Sequence, residues 1–131
     1  MDERDELYKR GFETRQKIMG EAAVERAESR LTPFTEEWMA FVTRYAFGEV
    51  WSRPGLPAKT RSMLTIAMLT TLGRHDELAV HIRATRQTGV SRDEVKEVLM
   101  QAAIYAGVPA AMSAFMRAQQ VYAEMDKEQA R

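Results

Sequence analysis

Between Ser62 and Leu72, the residues Met63, Leu64, Ile66, Ala67, Met68, Leu69 and Leu72 fall on most sides of a helix rather than on one stripe. They do not alternate as a half-buried strand would. A helix that is apolar nearly all round belongs in an interior. The run therefore predicts a central core helix on which other helices must pack, and that restricts the chain to an all-α, compact helical domain.

The rest of the chain reads the same way. Residues 3–19 pair Asp5 with Lys9, Glu6 with Arg10 and Glu13 with Lys17 at i,i+4, the pattern of an exposed amphipathic helix. Gly20 ends it, and 21–29 reads as a second short helix. Thr32-Pro33 supplies an N-cap and a first-turn proline. The helix they open is expected to run to about Ala46, with Phe34, Trp38, Phe41, Val42 and Tyr45 on one stripe. Residues 47–56 then read as a loop, after which Pro57 can begin the helix described above. Gly73 breaks that helix, and 74–88 forms the next, with Leu78, His81, Ile82 and Thr85 on one face and Gly89 as a left-handed C-cap. Ser91-Arg92-Asp93-Glu94 is a capping box. Gly107-Val108-Pro109 separates the helix behind it from a last one over about 109–125. No segment alternates as a strand. By size the 131 residues form one domain, 1–131, with a core over about 32–125 and N-terminal helices over 3–29. Apolar side chains left over on 34–46 and 109–125 (Met112, Phe115, Met116, Val121, Tyr122) predict a homo-oligomer.

Composition removes several chemistries. The chain has no cysteine, which excludes disulfides, thiolate metal sites and thiol nucleophiles. Its formal net charge is zero, unlike a generic polyanion binder. Residues 84–95 resemble a helix-turn-helix, but the would-be reading helix opens Arg92-Asp93-Glu94 and sets carboxylates against phosphates, so no nucleic-acid partner is expected. The N-terminus is charged and no run approaches the roughly 20 apolar residues that span a bilayer, so neither a signal peptide nor a membrane partner is expected and the cytoplasm is the default.

Two groups could carry chemistry. The 47–61 stretch sets Glu49, Trp51, Arg53 and Arg61 around Pro54-Gly55. The following helix sets Arg74, Glu77 and His81 at i, i+3 and i+7, on one face. A lone histidine on an apolar stripe is most often a hydrogen-bonded core residue, and Trp51 and Arg53 could merely plug the core and pin the loop. Against that, residues 43–92 hold eight lysines and arginines and only three acidic residues, in a chain with no net charge. Arginine forks suit carboxylates, so a small acidic substrate fits best. His75 and His81 are six apart, not the four of a helical metal pair, and no metal is expected.

The run from Phe47 to Leu56, followed by Thr60-Arg61-Ser62, Gly73-Arg74, Glu77-Leu78, His81-Ile82-Arg83, Glu94, Glu97-Val98-Leu99 and Tyr105 to Ala111, resembles the signature of the 4-carboxymuconolactone decarboxylases. With Thr32-Pro33-Phe34 upstream, the resemblance covers about residues 8–122. Thiol enzymes of the wider alkylhydroperoxidase-like superfamily carry Cys-x-x-Cys-x-x-x-His on the equivalent helix. Here Arg74 and Glu77 stand at the cysteine positions, so their redox chemistry is lost and His81 remains. The resemblance implies a cofactor-independent carboxy-lyase that converts 4-carboxymuconolactone to 3-oxoadipate enol-lactone and CO2, in the protocatechuate branch of the β-ketoadipate pathway. It also implies a ring-like homo-oligomer, a hexamer built from dimers. His81 would donate the proton or bind the developing oxyanion, and Glu49 would orient or recharge it. Arg53 and Arg61, with Arg74 as a third candidate, would hold carboxylates, and Trp51 would wall the site. Pro57-Ala58-Lys59 departs from the pattern, which keeps a lyase or isomerase acting on a related small lactone or acid as an alternative. A non-catalytic helical module that binds a small acid is another.

Overall fold

The computed structural model describes residues 2–130. Among them are seven α-helices and one π-helix, with no strand, so the all-α expectation holds. The contacts divide the chain into two compact units, residues 1–58 and 59–131.

The first unit holds α1 (Glu3–Met19), α2 (Glu21–Ser29), α3 (Glu36–Val42) and a π-helix, Thr43–Trp51. Asp2 caps α1 by accepting the Arg4 amide. Regular helix begins at Glu36, one turn later than the Thr32-Pro33 signal suggests. Thr32 still acts as the entry: its carbonyl accepts the amides of Thr35 and Glu36, each at 2.9 Å, and the Thr35 hydroxyl accepts the Thr32 amide. The larger correction concerns residues 47–56. Helix does not stop near Ala46; it continues in the wider π form through Trp51, and only Ser52–Pro57 is open chain. Gly48 reads as punctuation in sequence, yet it sits inside the helix because a neighbouring helix comes too close for a side chain. A Cβ on Gly48 would lie 2.6 Å from the Leu7 carbonyl oxygen, and one on Gly11 would lie 1.9 Å from the Thr43 carbonyl oxygen. Facing glycines thus let α1 lie directly on the π-helix. The buried Arg15 side chain adds to this contact, reaching Glu28 at 2.8 Å and the Thr43 hydroxyl at 3.5 Å. Trp38 stacks on Phe41, and Phe41 meets Tyr45 at a tilt, with ring centroids 5.9 and 5.0 Å apart. This stripe is exposed, and Phe34 ahead of it is 92% accessible.

The second unit is built from α4 (Ala58–Leu72), α5 (His75–Thr88), α6 (Arg92–Ala106) and α7 (Val108–Gln129). Its punctuation follows the sequence. Gly89 takes the left-handed C-cap, φ 84°, and the Ser91–Glu94 capping box closes in both directions. The core gathers Leu78 and Ile82 of α5, Val95, Val98 and Leu99 of α6, and Ala114, Ala118, Val121 and Met125 of α7. Phe115 and Tyr122 pack against it, so part of the apolar surface of α7 is used internally.

The expectation of an all-round buried 62–72 helix is overturned. α4 buries one face only, Ser62, Ile66 and Thr70, while Leu64, Met68 and Leu72 are exposed. Small hydroxyl residues face inward because they permit close approach and can be satisfied there. Thr70 donates to the Ile66 carbonyl, and Thr88 donates to Ser62 at 2.9 Å. Met63, Ala67 and Leu69 are partly buried against the core from the flanking faces.

Candidate functional site

In the first unit, Glu49 and Trp51 lie on the last turn of the π-helix and Arg53 in the turn that follows. The Glu49 carboxylate faces Arg10 of α1 across 3.6 Å. Trp51 is half-buried, its indole stacked on the buried Phe47 ring with centroids 6.3 Å apart. The π register therefore sets a carboxylate in solvent and an indole against the helix, one residue of exposed Val50 between them. π-Helical segments are uncommon and recur at functional sites, where one extra residue per turn re-aims side chains.

In the second unit, Arg61 sits in the first turns of α4, half-buried. Arg74 is the N-cap residue of α5 and is exposed, and His81 lies two turns further along that helix. Leu78 and Ile82 on either side of His81 are fully buried. Burial pushes the His81 imidazole below its ordinary value of 6.5, because a charged ring loses hydration inside the protein. The shift favours the neutral ring at neutral pH, and a neutral imidazole carries one N–H and one acceptor nitrogen.

The positive excess over residues 43–92 is mostly compensated within the second unit. Arg83 pairs with Glu124 and Glu128, Arg86 with Glu128, and Arg92 with Asp126. Lys59 pairs with Glu94 at 2.8 Å. Hydrogen bonding from Arg92 holds the Asp126 carboxyl below its usual range, and Lys59 does the same for Glu94. These acidic partners, Glu94, Asp126, Glu124 and Glu128, lie beyond the window in which the excess was counted. Arg83, Arg86, Arg92 and Lys59 are thus structural, and the window overstated the charge offered to a ligand.

Sequence reasoning missed Arg10, which it paired with Glu6 along α1. Only the tertiary contact with Glu49 reveals it, since the two residues stand 39 positions apart. Among the described residues, no three His, Asp or Glu side chains converge as a metal would require. Nor is any helix long and apolar enough to cross a membrane.

The profile of the carboxymuconolactone decarboxylase family matches residues 36–120. This chain belongs to that family. The match takes in α3, the π-helix, α4 to α6 and the first half of α7, and so includes Glu49, Trp51, Arg53, Arg61, Arg74 and His81. The chain is 45% identical over 121 residues to a 4-carboxymuconolactone decarboxylase of Acinetobacter baylyi, covering 92% of this chain and 90% of that protein. It is 35% identical over 125 residues to nitrosuccinic acid decarboxylase npaB of Metarhizium robertsii, covering 92% and 87%. An uncharacterised 15.0 kDa protein of Paracoccus denitrificans is 38% identical over 84 residues, 63% of each chain.

Proposed function

We propose that this protein is a carboxy-lyase that removes CO2 from 4-carboxymuconolactone to give 3-oxoadipate enol-lactone. The observation that carries this reading is the 45% identity, over 92% of the chain, to a protein of that activity. The leaving carboxylate sits on a carbon joined through a C=C to the lactone carbonyl. When the carbon–carbon bond breaks, its electron pair flows to that carbonyl oxygen as a dienolate, and a proton then returns to carbon. The substrate is its own electron acceptor and needs no cofactor. The protein must supply a donor for the developing oxyanion, a proton, and cations for the carboxylates.

The neutral His81 ring suits the oxyanion role, since a neutral imidazole can donate a hydrogen bond to an enolate without first being charged. Glu49 then orients or recharges the proton donor. Arg53 and Arg61 hold carboxylates, with Arg74 beside them in role, and Trp51 excludes water. Tight binding of the departing carboxylate would stabilise the ground state and slow its loss. The arginines therefore grip the acetate arm, the carboxylate that stays.

The test is to incubate purified protein with 4-carboxymuconolactone, without added cofactor, and follow CO2. Turnover supports the assignment, and a folded protein that releases none refutes it. Arg53→Ala is expected to lose at least about 2 kcal/mol in kcat/KM, the scale of a lost charge-assisted contact. The likeness to a nitrosuccinic acid decarboxylase supports a second substrate for the same assay. A nitro group beside a carboxylate accepts the released electron pair as a lactone carbonyl does.

The reading extends to a cytoplasmic homo-oligomer, a hexamer built from dimers. It is supported by large apolar side chains left in solvent on the second unit: Leu72 at 69%, Ile104 at 78% and Tyr105 at 84% accessible. Large apolar side chains exposed in this way are what a contact between subunits would cover. Ile104→Glu is expected to lower the mass measured by light scattering to that of a smaller assembly. An unchanged mass would remove this face from the interface.

A further inference from the structure

The end of the π-helix leaves one backbone group to be satisfied by side chains. The Ser52 amide makes the last π-type bond, to the Phe47 carbonyl at 3.1 Å. The Arg53 amide, which a continuing π-helix would give to Gly48, turns instead to the Val50 carbonyl at 3.1 Å. The Gly48 carbonyl is taken up by two side chains. The Ser52 hydroxyl donates to it from within the same turn, and Arg10 Nε donates to it from α1 at 3.0 Å. The other end of the same guanidinium faces the Glu49 carboxylate at 3.6 Å. One planar group therefore holds both the peptide that precedes Glu49 and the side chain of Glu49.

The surroundings make this arrangement specific. Arg10 can reach the Gly48 carbonyl only because α1 lies directly on the π-helix, and it does so through Gly11 and Gly48, neither of which has room for a Cβ. A half-exposed ion pair at this distance adds little to stability, so the worth of the contact lies in direction. A guanidinium fixed at its Nε end by a carbonyl presents its remaining N–H groups in a fixed orientation, as a lysine ammonium would not. The helix that supplies Arg10 also precedes the 36–120 stretch shared with the family.

We infer that Arg10 is a positioning residue for decarboxylation: it pins the Gly48–Glu49 peptide at the end of the π-helix and aims the Glu49 carboxylate. The inference rests on the role proposed above for Glu49. Orientation of a proton-handling group is expressed in the chemical step rather than in substrate affinity.

The experiment compares wild type, Arg10→Ala and Arg10→Lys in steady-state kinetics, together with the 13C carbonyl resonance of Gly48. Arg10→Ala is expected to lower kcat by about tenfold or more with KM within about twofold. Arg10→Lys, which keeps one donor and the charge, is expected to recover part of the loss. The Gly48 carbonyl resonance moves in Arg10→Ala and returns towards its wild-type position in Arg10→Lys. A Gly48 resonance unmoved in Arg10→Ala overturns the inference, as does a moved resonance with wild-type kcat, or an equal rise in KM that accounts for the loss. If Arg10→Ala does not fold, Arg10→Lys alone decides: a displaced Gly48 resonance with lowered kcat supports the inference, and wild-type kcat overturns it. Wild-type protein that is inactive on the lactone refutes the proposed function, and the resonance then decides separately whether Arg10 holds the peptide.

Discussion

Replacing His81 with alanine is expected to lower kcat on 4-carboxymuconolactone by roughly thirtyfold or more, at least about 2 kcal/mol of transition-state stabilisation. KM should change little, because a donor aimed at the developing enolate oxygen binds the ground-state carbonyl only weakly. Near-wild-type kcat would remove His81 from the reaction. The pH profile separates its two candidate roles. Burial lowers the His81 pKa from 6.5, so the neutral ring persists below pH 6.5. If the neutral ring is the oxyanion donor, kcat stays level from pH 8 down through 6.5 and falls only below that, where the ring charges. If the imidazolium were the proton donor, kcat would instead be low at pH 7 to 8 and rise as pH falls. Stability moves in the same sense as the first case. A folded pKa below the unfolded one means that the unfolded chain binds the proton more readily. The contribution is whole above 6.5 and is lost as pH falls from there through the folded pKa. His81→Gln should abolish that part of the acid sensitivity of the melting temperature.

How much of this was legible in the sequence depended on how local the cause was. The bounds of α1 and α2, the Gly89 cap and the Ser91–Glu94 box are decided within a few residues, and they appear where the sequence puts them. The family signature was legible too, because Phe47 to Leu56 is a specific string. What that string does structurally was not. Gly48 looks like the start of a loop because glycine normally weakens a helix. Here its missing side chain admits α1, a partner 37 to 41 residues earlier that no local pattern announces. The same blindness misread 62–72. Apolar residues all round predict burial all round, yet the buried face is Ser62, Ile66 and Thr70. Hydroxyl residues are counted as polar, and only the hydrogen bonds from Thr70 to Ile66 and from Thr88 to Ser62 show that they cost little inside. The charge excess over 43–92 misleads for a third reason, since Lys59, Arg83, Arg86 and Arg92 are answered by acids from 94 onward.

Gly11→Ala is expected to destabilise the fold by about 2–3 kcal/mol, at the upper end of what overpacking costs. In an exposed helix the same change would stabilise, since alanine is favoured over glycine by roughly 1 kcal/mol. The sign is therefore informative. The new Cβ would stand 1.9 Å from the Thr43 carbonyl oxygen, 2.8 Å from its carbon and 3.0 Å from the Gly48 nitrogen. All three are backbone atoms of the π-helix, so no side chain can rotate away. α1 must lift off, or the π-helix must rewind. Either response takes Arg10 from the Gly48 carbonyl and Arg15 from Thr43, contacts that depend on this separation. Gly48→Ala should act in the same direction and less severely, because its Cβ meets the Leu7 carbonyl oxygen at 2.6 Å and otherwise a movable Leu7 methyl at 3.0 Å. Urea midpoints at an unchanged slope would measure both. If Gly11→Ala were as stable as wild type, the close approach of α1 would not be what holds residues 43–51 in the π form. If it is destabilised and kcat falls with it, the N-terminal helix is part of what keeps Glu49 and Trp51 in place.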